Sequence, residues 1–351
     1  MVTIEQAKRA LDTVIEKGRV HLYKPIQVAE ILYRDRIVGD IDLMELETYR
    51  SKSKKWRDIV TIDLVGRKCS SSAKFQDNLF DDNATPPSVL KVLGEENRRT
   101  GGAVEAYIYN EFTSKHQQLS NALDRCLNAT TQTFDVKDFI DSFWNEPGLR
   151  RSLDKVYEII VYALFSTLVE ALQLEVIVTV GEEGYPLLKE FEDFSKKVMC
   201  LDCSTHQHIQ DARVYRVGVT NAADRGLDMY SNWGPAIQIK HLTLDISLAE
   251  SIISSVSSDQ VVIVCKDAEK DVIVSVLSQI GWKNHIQSVV TESDLINWYE
   301  KALRGTYSEV LGEKLLYRLA EEIALEFPSV DSTPQIIKDR HYENISDDFW
   351  K

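Results

Sequence analysis

The sequence predicts an α/β protein in three parts: a mainly helical N-terminal region (1–145), a mixed sheet flanked by helices (150–300), and a C-terminal helix with its tail (301–351). Three observations predict it. Apolar residues recur at helical spacing in the N-terminal part, and strand-like runs alternate with helical ones after residue 150. A composition of 44% hydrophobic and 27% charged residues over 351 positions is that of an ordinary globular protein, which excludes disordered and fibrous classes.

In chain order, Ile4, Ala7, Leu11, Val14 and Ile15 mark a first helix, and Pro25 opens a second through Val28, Ile31 and Leu32. Residues 66–102 read as irregular, with Gly66, Pro86-Pro87 and Thr100-Gly101-Gly102 as turn chemistry. Val104, Ile108, Phe112, Leu119 and Leu123 then resume a helix. After Asn145-Glu146-Pro147-Gly148, residues 152–172 predict a long apolar helix, with Ser152 as its N-cap and Asp154 in its first turn. Strands are predicted at 175–181, 212–219, 227–231, 235–242 and 260–266, with helices at 186–199, 248–257, 268–279 and 308–325, and a polar tail carrying Pro328 and Pro334.

No apolar run reaches the roughly 18 residues of a membrane span, and the start MVTIEQAKRA lacks the apolar centre of a signal peptide, so a cytoplasmic protein with no membrane partner is expected. Five cysteines spread over the chain fit a reducing compartment. The net charge of −14 argues against coating nucleic acid through bulk electrostatics. That charge is uneven. Residues 1–150 carry 22 basic and 23 acidic side chains, whereas 151–351 carry 19 and 32. Residues 50–74 hold eight basic side chains against Asp58 and Asp63, net +6, which reads either as a solvated loop or as a binding surface.

The chemistry-bearing constellation lies in the predicted sheet. Asp228 ends one strand-like run, a turn follows (Ser231-Asn232-Trp233-Gly234-Pro235), and the next strand, PAIQIKHL, places Gln238 and Lys240 on one face. Polar residues on a buried strand must be paired or functional. A carboxylate, an amide and a lysine gathered at one point suit metal-assisted phosphodiester hydrolysis. Asp228 with a backbone carbonyl can hold Mg²⁺, and Lys240 can orient or deprotonate the attacking water and offset developing charge. The spacing alone is equally compatible with an exposed Gln and Lys on a sheet face.

The segment resembles the PD-(D/E)xK nuclease fold, with Asp228 as its Asp and Gln238-Ile239-Lys240 in the (D/E)xK place. Gln at the acidic position is a departure that removes one negative ligand, and Glu158 on the preceding helix is the candidate for the second carboxylate, catalytic and metal-binding with Asp228. A closer resemblance covers most of the chain. KPIQVAEILYRDR (24–36), ETYRSKSKKWRD (47–58), SSSAKFQDNLFDDNATPP (70–87), GGAVEAYIYNEF (101–112), WGPAIQIKHLTLD (233–245) and VVIVCKDAEKDV (261–272) are similar to the HaeII family of type II restriction endonucleases. The resemblance implies Mg²⁺-dependent cleavage of double-stranded DNA at a short palindrome, RGCGCY in the namesake, and hence a two-fold homodimer.

In that light Lys52, Lys54, Lys55, Arg57, Arg67, Lys68 and Lys74 are donors of the kinds that fix register on phosphates, and Gln76 and Asn78 can read base edges. Two other readings stay open: a non-catalytic DNA-binding protein on a degenerate nuclease sheet, and a structure-selective repair nuclease. Cys200, Cys203, His206 and His208 are zinc-ligand types packed too tightly for the usual two-pair site, with buried thiols and exposed imidazoles as the alternative. His241, just after Lys240, reads either as a group approaching the phosphate or, more simply, as a strand-end histidine with an ordinary partner, and Cys265 as a small core residue.

Overall fold

The computed structural model describes the chain except for residues 1, 69–76, 218–226, 246–250, 253–255, 257, 267–285, 332, 347–349 and 351, and the side chains of Arg125 and Cys126. Lys74, Gln76, most of the predicted helix at 248–257 and the whole of that at 268–279 lie outside the described residues. The contacts group Met1–Tyr157 and Leu319–Lys351 into one compact unit, and Glu158–Val217 with the described residues up to Arg318 into another.

The first unit is helical, as predicted. Helix α1 (Ile4–Glu16) starts at a capping box in which Thr3 and Gln6 satisfy each other's backbone N–H, and it buries Ala7, Leu11, Val14 and Ile15. Helix α2 (Tyr23–Ile37) is buried continuously from Pro25 to Leu32. It packs against α3 (Arg50–Val65), α4 (Pro87–Arg99) and α5 (Ala103–Leu127). Two of these correct the expectations above. The basic stretch is helical over 50–65 rather than a loop, and residues 66–102 contain α4, which starts with Pro87 in its first turn, where proline costs no backbone bond. Helix α3 escaped the apolar periodicity because its inner face includes Ser53, Arg57 and Thr61, all buried. The α4/α5 turn uses Gly101 and Gly102 at φ +70° and +117°, and a Cβ at Gly102 would press on the Arg36 guanidinium at 3.1 Å. Helix α6 (Val136–Asn145), also unpredicted, is capped by Asp135.

The tail is not merely polar. Ile337, Tyr342 and Trp350 belong to the helical core. Arg340 donates to both Glu30 oxygens (2.7 and 3.0 Å), and the Tyr342 hydroxyl donates to the buried Glu105. Glu105 also receives both Arg36 nitrogens at 2.9 and 2.8 Å, so the buried carboxylate is compensated.

The second unit holds the sheet. Helix α7 (Leu153–Ala171) is the predicted long apolar helix. Strands β1 (Glu175–Thr179) and β2 (Gln207–Asp211) pair antiparallel as a sheet of their own. Between them the predicted 186–199 helix is two short ones, α8 (Tyr185–Glu190) and α9 (Glu192–Val198), broken at Phe191. The main sheet runs in chain order, β3 (Val214–Arg216), β4 (Met229–Ser231), β5 (Ala236–Lys240), β6 (Val261–Cys265) and β7 (Ile286–Thr291). β3/β4 and β4/β5 are antiparallel, and β5/β6 and β6/β7 parallel. Every residue of β6, Cys265 included, is buried, as a strand covered on both faces requires. Helix α10 (Glu292–Arg304) follows β7, and its Tyr299 hydroxyl donates to the Ile160 carbonyl of α7 at 2.8 Å. Helix α11 (Ser308–Glu326) is close to its predicted span; its residues up to Arg318 belong to this unit and those from Leu319 to the first. The fold is thus a mixed α/β arrangement with a five-stranded sheet and a helical N-terminal region.

Candidate active site

The site is built by the β4/β5 hairpin. Gly234 turns the chain at φ +131°, a conformation that a side chain would strain, and the Ser231 N–H and hydroxyl both donate to the Pro235 carbonyl (3.0 and 3.1 Å). Pro235, which lacks a ladder N–H, stands just before β5. The register pairs Met229 with Ile237. Continued one step, that register would set Asp228 opposite Gln238, with Lys240 two residues along the same face of β5.

The contacts bear this out. Asp228 Oδ2 accepts the Ile239 backbone N–H at 2.8 Å and lies 3.5 Å from Lys240 Nζ, while the Asp228 carbonyl accepts from Val217 N–H at 2.9 Å. The carboxylate is therefore held at both its backbone and its side chain before any ligand arrives. The Asp228 and Lys240 side chains are 15% and 33% exposed, so both reach solvent, Asp228 just before β4 and Lys240 at the end of a strand that is otherwise buried. Gln238 is 1% exposed, so its amide is an interior group. Glu158 lies on α7 in the same compact unit, 7% exposed.

His241 follows Lys240 and meets Glu292 at 3.1 Å (Nε2 to Oε2), the ordinary partner expected of it. Glu292 was not foreseen. It opens α10 directly after β7, so it lies at the carboxyl end of a parallel strand, as Lys240 and His241 do on β5. Open α/β sheets gather ligands at that edge. The available signal was an acidic residue directly after the apolar run VVT, but only the 286–291 strand, missed for want of alternation, gives it meaning.

The donor set suits a hard cation. It offers carboxylate and amide oxygens beside a lysine, and Mg²⁺ keeps several waters and needs few protein ligands. Among the described residues, no group of three or more His, Cys, Asp or Glu side chains gathers as a metal cage. This bears on the zinc reading as well. Cys200 and Cys203 are exposed thiols, not buried ones, and the His206 ring Nε2 lies 2.8 Å from the Cys203 carbonyl.

The basic residues separate by role. Lys52 and Lys55 are exposed on α3, in one stripe with the exposed Ile59 and Ile62. Lys54 and Arg50 both pair with Asp77, at 3.2 and 3.1 Å. Arg57 is 1% exposed, donating to Gln27 Oε1 at 3.0 Å and to Asp58 Oδ1 at 2.6 and 3.0 Å; it faces the core and does not present itself to DNA. Arg67 donates to the Leu325 and Glu326 carbonyls and lies against the His21 ring. Lys68 is exposed, and the Asn78 amide oxygen accepts from Lys24.

The model of the HaeII restriction endonuclease family matches residues 7–342. The chain belongs to that family. It is 54% identical over 331 residues to the type II restriction enzyme HaeII of Haemophilus aegyptius, covering 94% of each chain. It is 53% identical over 333 residues to the type II restriction enzyme NgoBI of Neisseria gonorrhoeae, covering 95% of this chain and 94% of the other. No solved structure matches. Of the six segments that carry the HaeII-family resemblance, WGPAIQIKHLTLD contains Gln238 and Lys240 and follows Asp228 by a few residues.

Proposed function

We propose that the protein is a type II restriction endonuclease that hydrolyses DNA phosphodiester bonds with Mg²⁺ at a short palindromic site, RGCGCY-like by resemblance, on a PD-(D/E)xK-type sheet and as a homodimer. The carrying observation is the Asp228–Lys240 pair, 3.5 Å apart, with the carboxylate anchored by the Ile239 N–H at the carboxyl end of β5. Asp228 and Glu158 are the proposed metal carboxylates, and Gln238 the proposed third site residue. Mg²⁺ bound there would polarise the scissile phosphate and acidify a coordinated water.

The chain's own groups do the rest. Lys240 approaches the attacking water and the phosphate oxygens from a strand that cannot move without breaking its parallel ladder, so its ammonium is positioned before the charge develops. Ile239 N–H keeps one Asp228 oxygen fixed and so sets the direction of the carboxylate. Lys52, Lys55 and Lys68, exposed in the helical unit, are the proposed phosphate contacts.

Plasmid DNA incubated with the protein and Mg²⁺ tests the reading. Discrete fragments whose mapped ends share one palindrome are expected. Retardation without cutting, across DNA sources of differing methylation, would favour the non-catalytic binder, and branch-dependent cuts the repair nuclease.

A further inference from the structure

Residues 172–211, comprising β1, α8, α9 and β2, form a folded segment with almost no interior. Within it only Leu188, Ser195 and Leu201 are buried. Its large apolar side chains lie outside instead. Eleven of them are 37–66% exposed, among them Leu172, Ile177, Leu187, Phe191, Val198 and Ile209. Summed over all faces of the segment, these present roughly 1,000 Å² of accessible area, of the order of the ~800 Å² that each partner contributes to a standard stable interface. Soluble monomers rarely leave so much apolar surface open on one short segment. Ile177 and Ile209 stand directly opposite each other in the β1/β2 register, so both exposed isoleucines lie on one face of the two-stranded sheet.

We infer that this segment is a docking arm whose occupant is the same arm of a second copy of the chain, related by a two-fold axis. Charge complementarity points to that occupant. Helix α9 is acidic in its first turn (Glu192, Asp193) and basic in its last (Lys196, Lys197). Two such helices crossing antiparallel bring each acidic end against the other's basic end, the self-matching pattern that an isologous interface requires. The symmetry rests on the proposed palindromic substrate, and the location on the arm's own surface.

Sedimentation equilibrium of the full-length protein without DNA tests the inference. The wild type is expected to be a dimer at micromolar concentration, and Ile177→Asp/Ile209→Asp to raise the dimer dissociation constant at least 100-fold with an unchanged far-UV circular dichroism spectrum. Should that variant misfold, a charge swap decides: Lys196→Glu/Lys197→Glu weakens association, and adding Glu192→Lys/Asp193→Lys in the same chain restores it. A monomeric wild type overturns the inference, as does a folded isoleucine variant that keeps the wild-type constant, or a charge swap without loss and rescue. Cutting at a palindrome by a protein whose dimer ignores all these changes would sink the arm and leave the function standing. A dimer that obeys them but cuts nothing would do the reverse.

Discussion

At the scale of single residues, the site turns on how β5 treats its two polar positions. Lys240 is partly exposed and Gln238 is buried, so the amide serves the interior as well as any ligand. Gln238→Glu is expected to retain measurable Mg²⁺-dependent cleavage, because the shape is kept and a ligand charge is gained. Gln238→Ala is expected to lose both activity and about 1–3 kcal/mol of stability, the cost of leaving buried neighbours unsatisfied. Cleavage rate, metal dependence and urea midpoint all unchanged in Gln238→Ala would remove the residue from the site. A second residue-scale prediction concerns His21 and His116, whose rings stack 5.4 Å apart in the helical unit. Burial, then the neighbouring His116 and Arg67 charges, hold His21 down at about 3, and burial holds His116 at about 4. Both are neutral in the fold and take up protons more readily when unfolded. Their contribution is therefore full above the unfolded value near 6.5 and is lost as pH falls from there toward 4 and 3. Urea midpoints at successive pH values should fall over that window, by on the order of 1 kcal/mol per histidine per pH unit. His116→Phe should flatten the slope by about one proton; an identical slope in that variant would contradict the assignment.

At the scale of elements, α3 shows what a charge count cannot resolve. Eight basic residues between 50 and 74 suggested one surface, yet Arg50 and Lys54 are paired with Asp77, and Arg57 is buried against Gln27 and Asp58. The outward basic face of α3 is Lys52 and Lys55. Neutralising each of these is expected to lower the slope of log binding constant against log salt by about 0.9, uniformly across DNA sequences, whereas Lys54→Ala should change it less. Equal slopes in wild type, Lys52→Ala and Lys55→Ala would return this face to plain solvation. The elements legible in the sequence were those with a clean apolar stripe or an apolar strand-like run: α1, α2, α5, α7 and α11 among the helices, and β1, β3, β4, β5 and β6 among the strands. Of those missed, α3 and β2 had their pattern blunted by polar residues, whereas α6, with Val136, Phe139, Ile140 and Phe143 at helical spacing, is regular but only ten residues long. Helix α3 carries Ser53, Arg57 and Thr61 on its buried face, and β2, QHIQD, is too polar and too exposed to alternate.

At the scale of the whole molecule, the −14 charge is an average over a nearly neutral first 150 residues and a strongly acidic remainder. An acidic body with a small outward basic face disfavours indiscriminate DNA coating while leaving a local site attractive. Among the described residues, no helix is long and apolar enough to cross a membrane. The candidate site was legible as far as Asp228, Gln238 and Lys240, because a two-residue period and a hairpin turn suffice to bring them together. Glu292 and the tail's buried Tyr342 and Trp350 were not legible, since each depends on partners far away in sequence. The account rests on the lysine that faces Asp228. The most direct test is Mg²⁺-dependent plasmid cleavage by Lys240→Ala, with gel retardation of the same DNA measured without Mg²⁺. Cleavage reduced at least about 100-fold, with retardation near that of the wild type, is expected from loss of a group that acts on developing charge. Wild-type cutting by Lys240→Ala would contradict the account at its centre.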